Sequence, residues 1–135
     1  ALELAEAIKE KESKRLIKLR DDFIKTVLKK IPGALLNGDA VRRLPNNVNI
    51  SIPEIASEHL VIELDAHGIG ASARSACKSM DEEGSHVIMA LGRGTTGTES
   101  GVRFTLGRST TKKDIDYVVT VLSQLVKKLK NIKSL

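Results

Sequence analysis

Residues 111–132, TKKDIDYVVTVLSQLVKKLKNI, decide the fold class. Ile115, Val118, Val119, Leu122, Leu125, Val126, Leu129 and Ile132 recur at helical spacing and make one apolar stripe, which predicts an amphipathic helix with a single buried face. Thr111 is placed to cap it, and Asp114 stands at the capping-box position three residues on. Immediately upstream, Val102-Arg103-Phe104-Thr105-Leu106 alternates with a period of two, the mark of a strand with one face buried. A strand feeding a long one-faced helix calls for a sheet covered by helices.

Working outward, residues 3–31 place Ile8, Leu16, Leu19, Phe23, Ile24, Val27, Leu28 and Ile31 at mostly helical spacing, and Pro32-Gly33 stops the run. Ala34-Leu35-Leu36 is a short strand candidate closed by the turn residues Asn37-Gly38-Asp39. Asn47-Val48-Asn49-Ile50-Ser51-Ile52 alternates like a strand and ends at Pro53. Residues 55–66 suit a strand or a buried helix, but Ser57 as a cap and Gly68 as a stop favour helix. Ile69 to Ala73 is short enough for a strand, and Ser85 to Leu91 for a capped helix ending at Gly92. The predicted architecture is α+β, one domain over residues 1–135, with a small sheet and a long helix at each end. The start at Ala1 has neither Met nor a capping residue, which suggests a piece of a longer chain.

A chain of 135 residues with 41% hydrophobic and 29% charged residues has room for one cored domain and not for two. No apolar run approaches the ~18 residues of a membrane span, and no signal-peptide layout opens the chain, so a soluble cytoplasmic protein is expected, with no membrane partner. The single cysteine, Cys77, excludes an internal disulfide and a multi-cysteine zinc site. The net charge of +5 resides at the ends: +3 over residues 1–30, +4 over residues 112–135 and −2 between them. Lysines on solvated helix faces account for it. With aromatics at 2% there is little to stack on bases, which argues against a nucleic-acid partner.

Several motifs fail on context. Gly92-Arg93-Gly94-Thr95-Thr96-Gly97 matches G-x-G-x-x-G, but the dinucleotide fingerprint needs a strand before it and a helix after it, and here the expected order is reversed. It is read as a loop. His59, His67 and His86 share no ligand spacing with one another or with Cys77, so surface histidines are expected and no metal.

Cys77 lies in Ser72-Ala73-Arg74-Ser75-Ala76-Cys77-Lys78-Ser79, among small and polar neighbours, where a buried structural cysteine would have apolar ones. Arg74 and Lys78 would favour its thiolate if they are also near in space. Composition alone leaves both an inert and a reactive thiol open.

The order Leu36-Asn37-Gly38, Arg43-Leu44-Pro45-Asn46-Asn47-Val48-Asn49-Ile50-Ser51, Ser75-Ala76-Cys77, Val102-Arg103-Phe104-Thr105-Leu106-Gly107-Arg108, Thr110-Thr111 and Asp114-Ile115-Asp116-Tyr117 resembles the C-terminal third of a cysteine desulfurase of the class V aminotransferase family. The likeness covers nearly the whole chain. It implies a small C-terminal domain that closes over a larger cofactor-binding domain absent from this sequence. It also implies that Cys77 is the catalytic nucleophile, taking sulfur from L-cysteine as a persulfide and releasing alanine, and that Arg103 holds the substrate carboxylate. Arg108 is read as a surface residue.

The resemblance further implies pyridoxal phosphate in the full-length enzyme, with none expected on this chain alone, because the Schiff-base lysine segment of the family is missing. The isolated chain is therefore expected to be inactive. Implied partners are a sulfur acceptor or iron–sulfur scaffold protein, for cluster assembly or tRNA thiolation, and a second copy of the full-length chain in a homodimer. Two positions depart from the family pattern: Arg74 stands where glycine is frequent, and Lys78 where a small hydroxyl residue is frequent. The alternatives are a related class V lyase or, from another class, a non-catalytic interaction or nucleic-acid-binding module.

Overall fold

The computed structural model describes residues 2–73 and 101–133. In chain order the elements are α1 (Leu2–Lys30), β1 (Leu35–Leu36), β2 (Asn47–Ser51), α2 (Ser57–Asp65), β3 (Ser72–Ala73), β4 (Gly101–Thr105) and α3 (Lys112–Lys133). The four strands form one antiparallel sheet in the order β1-β2-β4-β3. Strand β4 therefore lies between β2 and β3, which run in the same direction and are connected through α2. The helix expected at Ser85 to Leu91 lies outside the described residues.

The β2–β4 pair is the centre of the sheet, in register from Asn47 opposite Thr105 to Ser51 opposite Gly101. Alternation assigns the faces as the sequence predicts: Val48, Ile50, Val102 and Phe104 are buried, while Arg103 and Thr105 are exposed. The apolar face meets both long helices. Phe23 and Val27 come from α1, and Ile115, Val119 and Leu122 from α3, all within one core.

Helix α1 is long, ~43 Å at the usual rise, yet its fully buried residues begin only at Arg20 and Phe23. The C-terminal half packs the domain. Helix α2 ends as expected at Gly68, whose φ of 71° suits a residue without a Cβ. The Ile69 N–H donates to the Leu64 carbonyl at 3.0 Å and closes the turn. The expected cap at Ser57 differs: Ala56 occupies the cap position without a side-chain bond, and Ser57 is the first helical residue, buried, with its hydroxyl donating to the Glu58 carboxylate. Ser57 is packed into the interior while Ala56, Glu58 and His59 beside it stay exposed, so packing and not the cap rule places this side chain.

Helix α3 begins with the predicted capping box. The Thr111 N–H donates to Asp114 Oδ2 at 2.8 Å, and the Asp114 N–H returns a longer bond of 3.4 Å to Thr111 Oγ1. Among the described residues, no helix is long and apolar enough to cross a membrane.

Candidate functional site

The sheet face turned away from the core is polar, and its middle is occupied by Arg103. Strand β4 directs Val102 and Phe104 inward, so the residue between them must project outward. Across the register Arg103 faces Asn49 of β2 on one side and Ser72 of β3 on the other. It has no hydrogen-bond or ion-pair partner among the described residues. An exposed guanidinium with five donors and no acceptor is ready to take a planar anion such as a carboxylate.

Asn37 continues the same row beyond β1. Its backbone N–H donates to the Asn49 carbonyl at 2.9 Å, and its side-chain amide donates to Asn49 Oδ1 at 2.9 Å and to Ser51 Oγ at 2.8 Å. Asn37 is only 4% exposed, and its Oδ1 is buried with no partner. The loop after it is folded by charge as much as by turns. Asp39 Oδ1 accepts the N–H groups of Val41 and Arg42 at 2.7 and 2.6 Å, which holds this carboxyl below its ordinary range. Arg43 reaches back to the carbonyls of Asn47 and Asn37 at 3.1 and 3.3 Å. Its burial, followed by the nearby Arg20 cation, shifts the Arg43 pKa down.

On the other side of the sheet, Arg15 of α1 ties down the β4–α3 loop. Its guanidinium donates to the carbonyls of Thr110, Gly107 and Arg108 at 2.7, 3.1 and 3.1 Å, and pairs with Glu12 at 2.7 Å. The hydrogen bond from Arg15 lowers the Glu12 pKa and raises that of Arg15. Arg108 contributes its carbonyl to this clamp.

Of the two site residues expected from sequence, Arg103 is on the outer sheet face, while Cys77 lies outside the described residues, as do Arg74, Lys78, His86 and the glycine motif at residues 92–97. His59 and His67 are exposed, in keeping with surface histidines, and no group of metal ligands forms among the described residues. Asn37, Asn49 and Arg15 are the residues that local reading passes over as actors. Their partners are 12 and 95 positions away, so no window of sequence contains the pair.

A cavity of about 410 Å³ opens beside β4 and the start of α3, lined by Thr105, Ser109, Asp114 and Tyr117 among others, and by no lysine. No lysine is buried among the described residues, and those that line other clefts, Lys9 and Lys25, are exposed. The described residues therefore do not fit the seat of an aldehyde cofactor, which needs a sheltered amine. They fit the recognition of an anion.

Residues 1–118 match the family described as aminotransferase class-V. The chain thus belongs to the class V aminotransferase family, whose members depend on pyridoxal phosphate. Within that family it is homologous to cysteine desulfurases: it is 42% identical to the cysteine desulfurase IscS of Dictyoglomus turgidum over 132 residues, which are 98% of this chain and 34% of that protein. It is 43% identical to the IscS of Methanosarcina thermophila over 135 residues, 100% of this chain and 33% of that protein. The chain spans about a third of the length of these relatives. Among solved structures, a NifS-like protein shares the fold with a TM-score of 0.79 at 23% identity, over 93% of this chain and 31% of its own. A NifS-like protein from Rickettsia africae matches with a TM-score of 0.71 at 28% identity, over 85% of this chain and 29% of its own.

Proposed function

We propose that this chain is the C-terminal domain of a pyridoxal-phosphate-dependent cysteine desulfurase, in which Arg103 holds the carboxylate of L-cysteine and Cys77 takes its sulfur. The observation that carries the reading is Arg103: an exposed guanidinium on an inner strand, fixed in place by its buried neighbours and without a partner among the described residues. Identity of about 40% along the chain to proteins named cysteine desulfurase supports it. The cofactor, held by the part of the relatives that this chain does not span, would supply the electron sink that makes the substrate carbon–sulfur bond breakable.

The work of this chain is orientation and attack. Arg103, in a rigid strand, fixes one end of the substrate by a charge-assisted bidentate contact. Cys77 as thiolate forms a bond to the substrate sulfur while the substrate carbon–sulfur bond breaks. The sum is balanced: enzyme thiol and cysteine give enzyme persulfide and alanine. Arg74 and Lys78, three and one positions from Cys77, would favour its thiolate where they also lie near it in space. The persulfide then passes to an acceptor protein.

The test is mass spectrometry of the cofactor-loaded enzyme carrying this domain after brief exposure to L-cysteine. A mass gain of one sulfur atom on the peptide containing Cys77, lost in Cys77→Ser together with alanine release, is the expected result. Alanine release that survives Cys77→Ser would overturn the assignment.

A further inference from the structure

Asn37, just after β1, and Asn49, Arg103 and Ser72 of β2, β4 and β3 form one row across the sheet, each facing the next on the side turned away from the core. Residues directly opposite in antiparallel strands have Cβ atoms about 4.5–5.5 Å apart, so the Asn49 amide and the Arg103 guanidinium are within reach of a single small ligand. We propose that Asn49 is the second half of the carboxylate site begun by Arg103, and that Asn37 is the positioning residue that sets the direction of the Asn49 amide. The inference rests on the reading of Arg103 given above.

The argument is one of polarity. Asn37 Nδ2 donates to Asn49 Oδ1 and to Ser51 Oγ, so both of its hydrogens are committed. The carbonyl end of the Asn49 amide is thereby held toward β1. Its NH2 end is turned away from Asn37, and it has no acceptor among the described residues. A donor-only amide end beside a guanidinium without a partner among the described residues is an arrangement that an anion with two oxygens completes. Ser72 closes the row on the far side of Arg103 with a hydroxyl that can donate as well.

The buried Oδ1 of Asn37 shows what this orientation costs. An unpartnered buried carbonyl is unfavourable. With the carbonyl end of the Asn49 amide toward β1, the reverse orientation of Asn37 would set two acceptors against each other. The neighbouring backbone gives the pair no slack: the Asn37 N–H is bonded to the Asn49 carbonyl, and Gly38, with φ of 82°, turns the chain away immediately afterwards.

The test is equilibrium binding to the cofactor-loaded enzyme carrying this domain, read as the change in cofactor absorbance, with two amines that cannot donate sulfur: L-alanine, which has the carboxylate, and ethylamine, which lacks it. Asn49→Ala should weaken L-alanine roughly ten- to a hundredfold, the loss of one hydrogen bond to a charged group, and leave ethylamine unchanged. Asn37→Ala should weaken L-alanine by less, again sparing ethylamine. The double variant should be no weaker than Asn49→Ala, because Asn37 acts only through Asn49. Circular dichroism melts establish that each variant folds, and Asn37→Ser replaces Asn37→Ala if the latter does not.

Arg103→Ala separates the two readings. If it loses L-alanine selectively while Asn49→Ala binds both amines like the parent, the present inference is wrong and the reading of Arg103 stands. Equal weakening of both amines in Asn49→Ala also overturns the inference, since the defect is then not at the carboxylate. If Arg103→Ala itself binds L-alanine normally, the reading of Arg103 fails and this inference with it.

Discussion

Phe23 of α1 and Phe104 of β4 meet edge to face, with ring centroids 5.2 Å apart and ring planes at 70°. Both rings are buried, and the contact commits Phe104 to the core. Its neighbour Arg103 must then emerge on the opposite face. A slip of one residue would bury the guanidinium and expose the ring, so the aromatic pair fixes the register that the site depends on.

Phe104→Ala should therefore cost about 3–5 kcal/mol, the usual loss for a truncated core phenylalanine. Phe104→Leu, which keeps most of the volume, should cost much less. Urea denaturation of the chain measures both. Equal losses in the two variants would show that the edge-to-face geometry, and not volume, dominates at this position.

The start of α3 has a predicted acid signature. The backbone N–H of Thr111, then its hydroxyl, bond Asp114 and hold the carboxyl below its ordinary value. A depressed pKa in the folded state stabilises the fold above the ordinary carboxyl value of about 3.9 and loses that contribution as pH falls through the folded value. Asp114→Asn should lower the Tm at pH 7, and the gap to the parent chain should narrow by about pH 2.5. Thr111→Ala should cost roughly 1 kcal/mol at pH 7. A Tm gap for Asp114→Asn that stays constant across this range would remove the carboxylate from the cap.

The contrast between the two helix starts shows what was legible in the sequence. Thr111 and Asp114 cap α3 as their spacing predicts, because that helix end is solvated and local rules apply. Ser57 does not cap α2, because tertiary packing buries it. The strands at residues 47–51 and 101–105 were readable from alternation, and Arg103 from its place between Val102 and Phe104. The row through Asn37 and Asn49 was not. Both belong to readable segments, but the bond between them depends on the β1–β2 register, and a register is a property of the assembled sheet. Arg15 was hidden for the same reason: it looks like one more cation on a solvated helix face, and its three carbonyl acceptors come from the other end of the chain.

The absence of a buried lysine among the described residues motivates a prediction for the isolated chain. Mixed with pyridoxal phosphate and L-cysteine, it should release no sulfide above a control of cofactor alone. It should also develop no protein-bound cofactor absorbance that resists dialysis. Sustained turnover by this chain would show that it contains a complete site, and the reading of it as one domain of a larger enzyme would be withdrawn.

In the cofactor-loaded enzyme carrying this domain, Arg103 should govern substrate capture. A charge-assisted bidentate contact to the carboxylate is made in the ground state and kept in the transition state, so its loss lowers kcat/KM mainly through KM. Arg103→Ala should reduce kcat/KM for L-cysteine by roughly 30- to 1000-fold, the range for losing a strong ionic hydrogen-bond pair. Arg103→Lys should recover only part of this, because an ammonium attracts the carboxylate but lacks the planar fork that sets its angle. The strand makes the comparison clean: Val102 and Phe104 remain buried on the core face, so neither substitution disturbs the packing that places position 103. Steady-state alanine release over a range of cysteine concentrations provides the measurement. An unchanged KM in Arg103→Ala would disprove the carboxylate role and move attention to Arg108, whose side chain is exposed at the end of the same motif.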